Sequence, residues 1–144
     1  MTVGIHRLDP TVPVPVYQSP GAAGFDLSSS VDMVVKPGEV TLVPTGLVIE
    51  VPKGHLLAVF ARSSTPLRRG LMIANGVGVV DSDYCGPYDE IKIEVFNFTA
   101  APVAIARGDR LAQGIFLPFV RAEWLEVEKP EPPTRGGFGS TGRS

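Results

Sequence analysis

One cysteine, Cys85, is all that 144 residues offer. An internal disulfide and a cysteine-based zinc cage are therefore both excluded, and the expected setting is a reducing one. Long stretches without glycine or proline are missing too. The chain carries 16 Gly and 14 Pro, and the longest run free of both is fourteen residues, Tyr88 to Ala101, which alternates like a strand. In a helix interior Gly and Pro cost about 1 and about 3 kcal/mol, so a helical bundle is excluded. No apolar run nears the ~18 residues that would span a bilayer. Met1 to Pro10 lacks the continuous apolar core of a secretory leader, and a cytoplasmic location without membrane partners is expected. Excess charge is absent as well: 13 Lys+Arg stand against 15 Asp+Glu, a net charge of −2, which is not the balance of a bulk nucleic-acid binder. His6 and His55 lack metal-ligand spacing, and there is no G-x-S-x-G nucleophile elbow.

What is present points to an all-β domain. The hydrophobic share of 44% supports a packed core. Pro10, Pro13, Pro15 and Pro20 predict an extended segment over residues 1–20. Short apolar runs follow at Val31–Val35, Val40–Val43, Leu47–Val51, Leu56–Ala61, Leu71–Ala74 and Val77–Val80. Turn signals separate them: Lys36-Pro37-Gly38, Pro44-Thr45-Gly46, Pro52-Lys53-Gly54 and Asn75-Gly76. In the next strand Ile91, Ile93 and Val95 share one face, and Lys92, Glu94 and Phe96 the other. Two closing strands are predicted over Arg110–Phe119 and Ala122–Glu128, and Ser64–Arg69 is the only segment suited to a helical turn. Such spacing describes a sandwich or barrel, a β domain over residues 1–128. Residues 129–144 differ in kind, with four Gly, three Pro and four Ser/Thr among sixteen, and read as a flexible arm.

Five short segments could carry chemistry. Arg135-Gly136-Gly137-Phe138-Gly139-Ser140-Thr141-Gly142 sets a guanidinium, an aromatic and two hydroxyls among glycines, a composition that can wrap an anion and offer a stacking face, or simply form a loose tail. Ala61-Arg62-Ser63-Ser64 runs from a strand into a helical turn, where free N–H groups suit phosphate; Ser is equally at home there as a cap. Asn75-Gly76-Val77-Gly78-Val79-Val80-Asp81-Ser82-Asp83-Tyr84-Cys85-Gly86 puts acids and a tyrosine after an uncharged hairpin. Asp81 could orient and deprotonate a water or close an Asx turn. Gly108-Asp109-Arg110-Leu111-Ala112-Gln113 places an amide on a strand that otherwise reads as buried, and Ala23-Gly24-Phe25-Asp26-Leu27 carries one acid into a strand. Cys85 reads as a packed residue, and Arg68-Arg69 as a solvated pair.

Taken together and in order, these segments resemble the five motifs of the trimeric dUTPase family. Phe25 stands where tyrosine is frequent, Ala61 and Ser64 replace a common Pro and Gly, and Leu111 replaces the usual Ile. The resemblance spans residues 23–142. It implies a jelly-roll-like β fold, a homotrimer with three active sites shared between subunits, and hydrolysis of dUTP to dUMP and pyrophosphate with Mg2+. It further implies that Asp81 holds the attacking water and that Tyr84 packs on the deoxyribose and excludes a 2′-hydroxyl. The hairpin with Asn75, Gly78 and Val79 would read uracil. Arg62, Ser63, Ser64 and Gln113 would bind phosphates, and Asp26 would meet waters of the magnesium ion. Arg135, Gly139, Ser140 and Thr141 would close over the γ-phosphate while Phe138 stacks on the base.

Two departures stand out. Pro87-Tyr88-Asp89-Glu90 is an insertion after the third motif, expected to lengthen a hairpin loop. Glu94, in Ile93-Glu94-Val95-Phe96-Asn97, is similar in context to the catalytic glutamate of the related dCTP deaminases, or else is an exposed strand residue paired with a nearby lysine. A deaminase or bifunctional enzyme is therefore the first rival, and a nucleotide-binding module without turnover the second. Asp83-Tyr84 and the Arg135–Gly142 arm favour the dUTPase resemblance.

Overall fold

A computed structural model gives the structure of the protein and describes residues 1–137. Among these are eleven short strands: β1 (Ile5–Arg7), β2 (Phe25–Ser28), β3 (Met33–Val35), β4 (Val40–Pro44), β5 (Leu47–Ile49), β6 (His55–Ala61), β7 (Leu71–Ile73), β8 (Gly78–Val80), β9 (Lys92–Asn97), β10 (Val103–Ile105) and β11 (Arg110–Pro118). One helical turn, Thr65–Arg69, lies between β6 and β7 with Pro66 at its start. The strands form an antiparallel sheet in the order β2-β11-β6-β8, a second in the order β4-β9-β7, and the two-stranded pairs β1-β5 and β3-β10. This is the all-β architecture that the turn spacing predicts, built as a jelly-roll-like sandwich around one core.

The period of two explains which residues fill that core. Phe25 and Leu27 of β2 and Ile93 and Val95 of β9 are buried while their strand neighbours are less so, as a period of two requires. Leu57 and Val59 of β6 and Leu111 of β11 are buried too, with the small Ala58 and Ala112 buried beside them. The face predicted for Ile91, Ile93 and Val95 is the buried one. The turn glycines Gly38, Gly46, Gly54, Gly76 and Gly108 all have positive φ, a conformation that costs a Cβ-bearing residue. Gly114 serves differently, since a Cβ there would lie 2.6 Å from the Phe25 ring, so its absence lets that ring cross the middle of the sheet. Asn97, which the pattern does not flag, is fully buried. Its amide donates to the carbonyls of Val35 and Ala101 at 2.9 and 2.8 Å and its oxygen accepts from the Thr99 N–H at 2.9 Å, so it fastens the β9–β10 connection to β3.

The structure adds to the reading of the N-terminal segment and corrects that of the C-terminal one. Residues 1–20 contain β1, which pairs with β5, and β10 is a further strand that the apolar runs did not reveal. Three residues between turns are too short to display alternation. Ala122–Glu128 forms no strand. The chain leaves β11, which β2 and β6 flank, after Pro118, and the segment pairs with no strand among the described residues. Val120, Trp124 and Leu125 are then 96%, 94% and 86% exposed.

Candidate active site

Two groups of polar residues stand at opposite ends of the β2-β11-β6-β8 sheet. In the first, the register sets Asp26 opposite Gln113, and Gln113 opposite Phe60, all on the outward face. The Asp26 carboxylate accepts from Arg62 Nε at 2.7 Å on one oxygen and from Arg110 Nη1 at 3.0 Å on the other. Arg62 Nη1 also donates to the Arg110 carbonyl at 3.2 Å. Gln113 Nε2 donates to the Ala61 carbonyl at 3.0 Å. Gly24 leaves the space for this amide, since a Cβ at that position would stand 3.0 Å from Gln113 Oε1. Two guanidiniums against one carboxylate leave a surplus of positive charge that suits an anion.

Beyond Arg62 the chain turns sharply. The Thr65 N–H donates to the Arg62 carbonyl at 3.0 Å, and Ser63 and Ser64 occupy the bend. Ser64 sits at the cap position but its hydroxyl makes no capping bond, so the capping alternative is not realised. Two contacts tie this bend to β11 and the turn before it. The buried Thr65 hydroxyl donates to the Leu111 carbonyl at 2.8 Å. Arg69 grips Asp109 through two bonds of 2.6 and 2.7 Å, and this guanidinium holds the Asp109 carboxyl below the usual carboxylate range. Arg69 is thus not a solvated side chain. It is a clasp between two loops, with a partner forty residues away in sequence.

The second group surrounds the β7–β8 hairpin. Gly76 makes the turn with φ of 74°, and β8 pairs with β6 so that Gly78 packs against Val59. A cavity of about 390 Å³ opens here, walled by Asn75, Gly78, Val79, Asp81, Tyr84 and Glu90, with Leu42 and Lys92 across from them. Asp81 follows β8 directly and is exposed, and its carbonyl accepts from the Tyr84 N–H at 3.2 Å. The Tyr84 phenol donates to the Glu90 carbonyl at 3.1 Å. Two carboxylates and one cation line the cavity: Asp81, which is exposed, Glu90, whose carboxylate is tied to the Gly46 N–H, and Lys92.

The register also measures how far apart the groups are. Val80 lies opposite Leu57, so Asp81 falls beside position 56, six residues along the strand direction from Arg62. At about 3.3 Å per residue that is roughly 20 Å, too far for one nucleotide phosphate to meet both on a single chain. The model of the dUTPase family matches residues 11–142.

The chain belongs to the dUTPase family.

A deoxyuridine 5′-triphosphate nucleotidohydrolase of Methylocella silvestris is 43% identical, over 99% of this chain and 92% of that one. A crystal structure of the dUTPase from Streptococcus mutans is 33% identical, with a TM-score of 0.77 over 84% of this chain and 99% of that chain. The dUTPase of Staphylococcus bacteriophage 80alpha, in a structure with dUpNHpp, is 22% identical and has the same fold, with a TM-score of 0.86 over 98% of both chains.

Within this dUTPase domain, the residues singled out by sequence fall into three sets. Asp26, Arg62 and Gln113 meet at one end, with Ser63 and Ser64 adjoining. Asn75, Gly78, Val79, Asp81 and Tyr84 meet at the other. Arg135 is exposed on the segment beyond β11, while Phe138, Gly139, Ser140 and Thr141 lie outside the described residues. Arg110, Glu90 and Lys92 were not singled out, although Arg110 stands inside the fourth motif and its charge beside a buried strand was a usable signal. Cys85 is exposed rather than packed, in the loop between β8 and β9. Glu94 is half-buried opposite Leu42, forms no wall of the cavity beside Lys92, and has no ion pair with a lysine among the described residues.

Proposed function

We propose that this protein hydrolyses dUTP to dUMP and pyrophosphate, limiting uracil incorporation into DNA and supplying dUMP for thymidylate synthesis, and that it works as a homotrimer whose active sites each combine parts of neighbouring subunits. The observation that carries this reading is the separation of Arg62 from Asp81 on one chain, beside family membership. A phosphate-binding end and a nucleoside-binding end that cannot serve one ligand within a subunit can do so across a subunit boundary. An apolar sheet face supports the assembly: Val40, Leu42 and Met72 on β4 and β7 are 53%, 55% and 45% exposed and flank Phe96. A patch of this kind marks an interaction surface.

In this reading the hairpin backbone at Asn75, Gly78 and Val79 reads the uracil edge, and Tyr84 packs on the deoxyribose. Asp81 orients the attacking water in line with the α-phosphate and takes its proton, and Arg62, Ser63, Ser64 and Gln113 bind the phosphate oxygens. Attack at phosphorus requires placement and charge neutralisation more than covalent help. Arg135 then closes over the triphosphate with Gly139, Ser140 and Thr141, while Phe138 stacks on the base. Residues 129–144 act as an arm that orders on the ligand and excludes water.

Magnesium fits the donor set if it travels with the nucleotide. Among the described residues no three His, Cys, Asp or Glu side chains gather to hold a metal, whereas Mg2+ keeps several waters and takes phosphate oxygens. Asp26 retains lone pairs beside its two arginine bonds and would hold the ion's water shell. Bound there, the ion would neutralise charge developing on the phosphates. Among the described residues no helix is long and apolar enough to cross a membrane, and a cytoplasmic site of action suits the nucleotide substrate.

The deciding experiment supplies dUTP, dCTP, dTTP and UTP in parallel with Mg2+ and measures pyrophosphate and monophosphate. Turnover of dUTP alone is expected. Deoxyuridine products from dCTP would instead make Glu94 catalytic, and binding without turnover would make the protein a nucleotide-binding module.

A further inference from the structure

After Tyr84 the chain runs Cys85-Gly86-Pro87-Tyr88-Asp89-Glu90, and this loop is folded onto itself. The Asp89 carboxylate accepts from the Gly86 N–H at 2.7 Å, and the Asp89 N–H donates to the Gly86 carbonyl at 3.0 Å. A Cβ at position 86 would lie 2.9 Å from Asp89 Oδ2, so a larger residue there would push on the Asp89 carboxylate. The closed loop is then fastened to the body. Glu90 Oε1 accepts from the Gly46 N–H at 2.7 Å, in the β4–β5 turn, where Gly46 has φ of 70°. The next residue continues the attachment, with the Ile91 N–H donating to the Leu47 carbonyl at 2.9 Å and the Thr45 hydroxyl to the Ile91 carbonyl at 2.6 Å.

Onto this anchored loop the Tyr84 phenol donates, to the Glu90 carbonyl at 3.1 Å. The tyrosine is therefore held at both ends, by its N–H on Asp81 and by its hydroxyl on Glu90, although the residue is 43% exposed. A half-exposed ring without the second hold would rotate freely about χ1 and χ2. The held ring and Glu90 are both walls of the cavity described above.

We propose that Glu90, through the loop closed by Asp89 and Gly86, is a positioning residue that keeps Tyr84 rigid enough to distinguish deoxyribose from ribose. The inference rests on the reading of Tyr84 as the sugar-facing wall. Discrimination against one added hydroxyl by steric exclusion works only if the wall cannot retreat, since a pocket that yields rejects such an analogue weakly. The charge-assisted bond from Gly46 to Glu90 is the stronger link of the chain. The Tyr84 hydroxyl is the weaker link and the one that transmits position to the ring.

The test compares kcat/KM for dUTP and UTP, with Mg2+, in the intact wild type and in Glu90→Ala, Glu90→Gln, Tyr84→Phe and the double variant Tyr84→Phe/Glu90→Ala. Tyr84→Phe removes only an exposed hydroxyl, so it tests the link even if Glu90→Ala disturbs the loop. Expected are a roughly tenfold fall in the dUTP:UTP ratio for Glu90→Ala and for Tyr84→Phe, no further fall in the double variant, and recovery in Glu90→Gln, whose amide oxygen can still accept from Gly46. A wild type that turns over both nucleotides equally would overturn the sugar-facing role of Tyr84 itself. A wild type that discriminates, with the ratio unchanged in Tyr84→Phe and Glu90→Ala, would overturn the positioning role of Glu90 alone. Fully additive losses would likewise overturn it, since two residues in one chain of contacts cannot act independently.

Discussion

At the proposed nucleoside end the walls come largely from one hairpin, with Gly78 and Val79 held in place by the β6–β8 ladder. At the proposed phosphate end the charged and amide side chains are already engaged: Asp26 with Arg62 and Arg110, Gln113 with Ala61, Arg69 with Asp109. The first end is shaped before any ligand arrives. The second must trade partners, because an arginine that leaves Asp26 for a phosphate gives up one charge-assisted bond to form another. A preformed pocket provides selectivity through shape, whereas a cluster of exchanging ion pairs responds to charge and to the number of phosphates. Division of labour between the two ends follows from how each is held.

The largest effects should come from removing what joins the two ends. Asp81→Asn is expected to lower kcat by on the order of 10²–10⁴ with little change in nucleotide affinity, as for loss of a general base; steady-state kinetics beside a binding titration reads both. Near-wild-type kcat would remove Asp81 from the reaction. Deleting residues 135–144 is expected to lower turnover by at least about 100-fold through lost closure and orientation, with oligomer size unchanged in sedimentation. A truncated protein that no longer assembles would make the arm structural.

Smaller effects should separate the ends from one another. Arg62→Ala is expected to lower kcat/KM by about 10- to 100-fold and to flatten its dependence on salt, since exposed charges are screened beyond about 10 Å at 0.1 M. Substitution of Val79, on the hairpin, should leave the salt dependence as it was. If both variants show the same salt profile, the contrast between the two ends fails.

The smallest expected effect is on stability. The Asp109 carboxyl is lowered from its ordinary value of 3.8 by its bonds to Arg69. Its contribution is therefore fully present above that value and is lost as the pH falls through the depressed folded one. Asp109→Asn should cost about 1 kcal/mol at neutral pH, with wild type and variant converging in acid below about pH 3.8. Urea unfolding at several pH values measures the gap, and a gap that persists in acid would exclude the ion pair as its source.

How much of this was legible in the sequence depended on the range of the signal. Alternation and turn glycines are local, so β6, β9 and the buried face of Ile91, Ile93 and Val95 could be read directly. The motif residues of each end could also be named, because each end is assembled from short segments. Partnerships across long separations could not be read. Nothing near Arg69 in sequence points to Asp109, and nothing near Asp26 points to Arg110. The segment Ala122–Glu128 failed for the complementary reason: its apolar residues satisfy the local pattern of a strand, but a strand also needs a partner edge, which a local pattern cannot supply, and this segment pairs with none among the described residues.

Trp124 stands 94% exposed on that segment, and it is the single tryptophan of the protein. Its indole fluorescence therefore arises from one place only, outside the β core and on the path from β11 to the arm. Emission from that ring will shift to the blue and become less accessible to a soluble quencher when a neighbouring surface covers it, while folding of the core leaves it untouched. The molecule thus carries an intrinsic optical probe of what its C-terminal segment touches, readable without labelling or mutation.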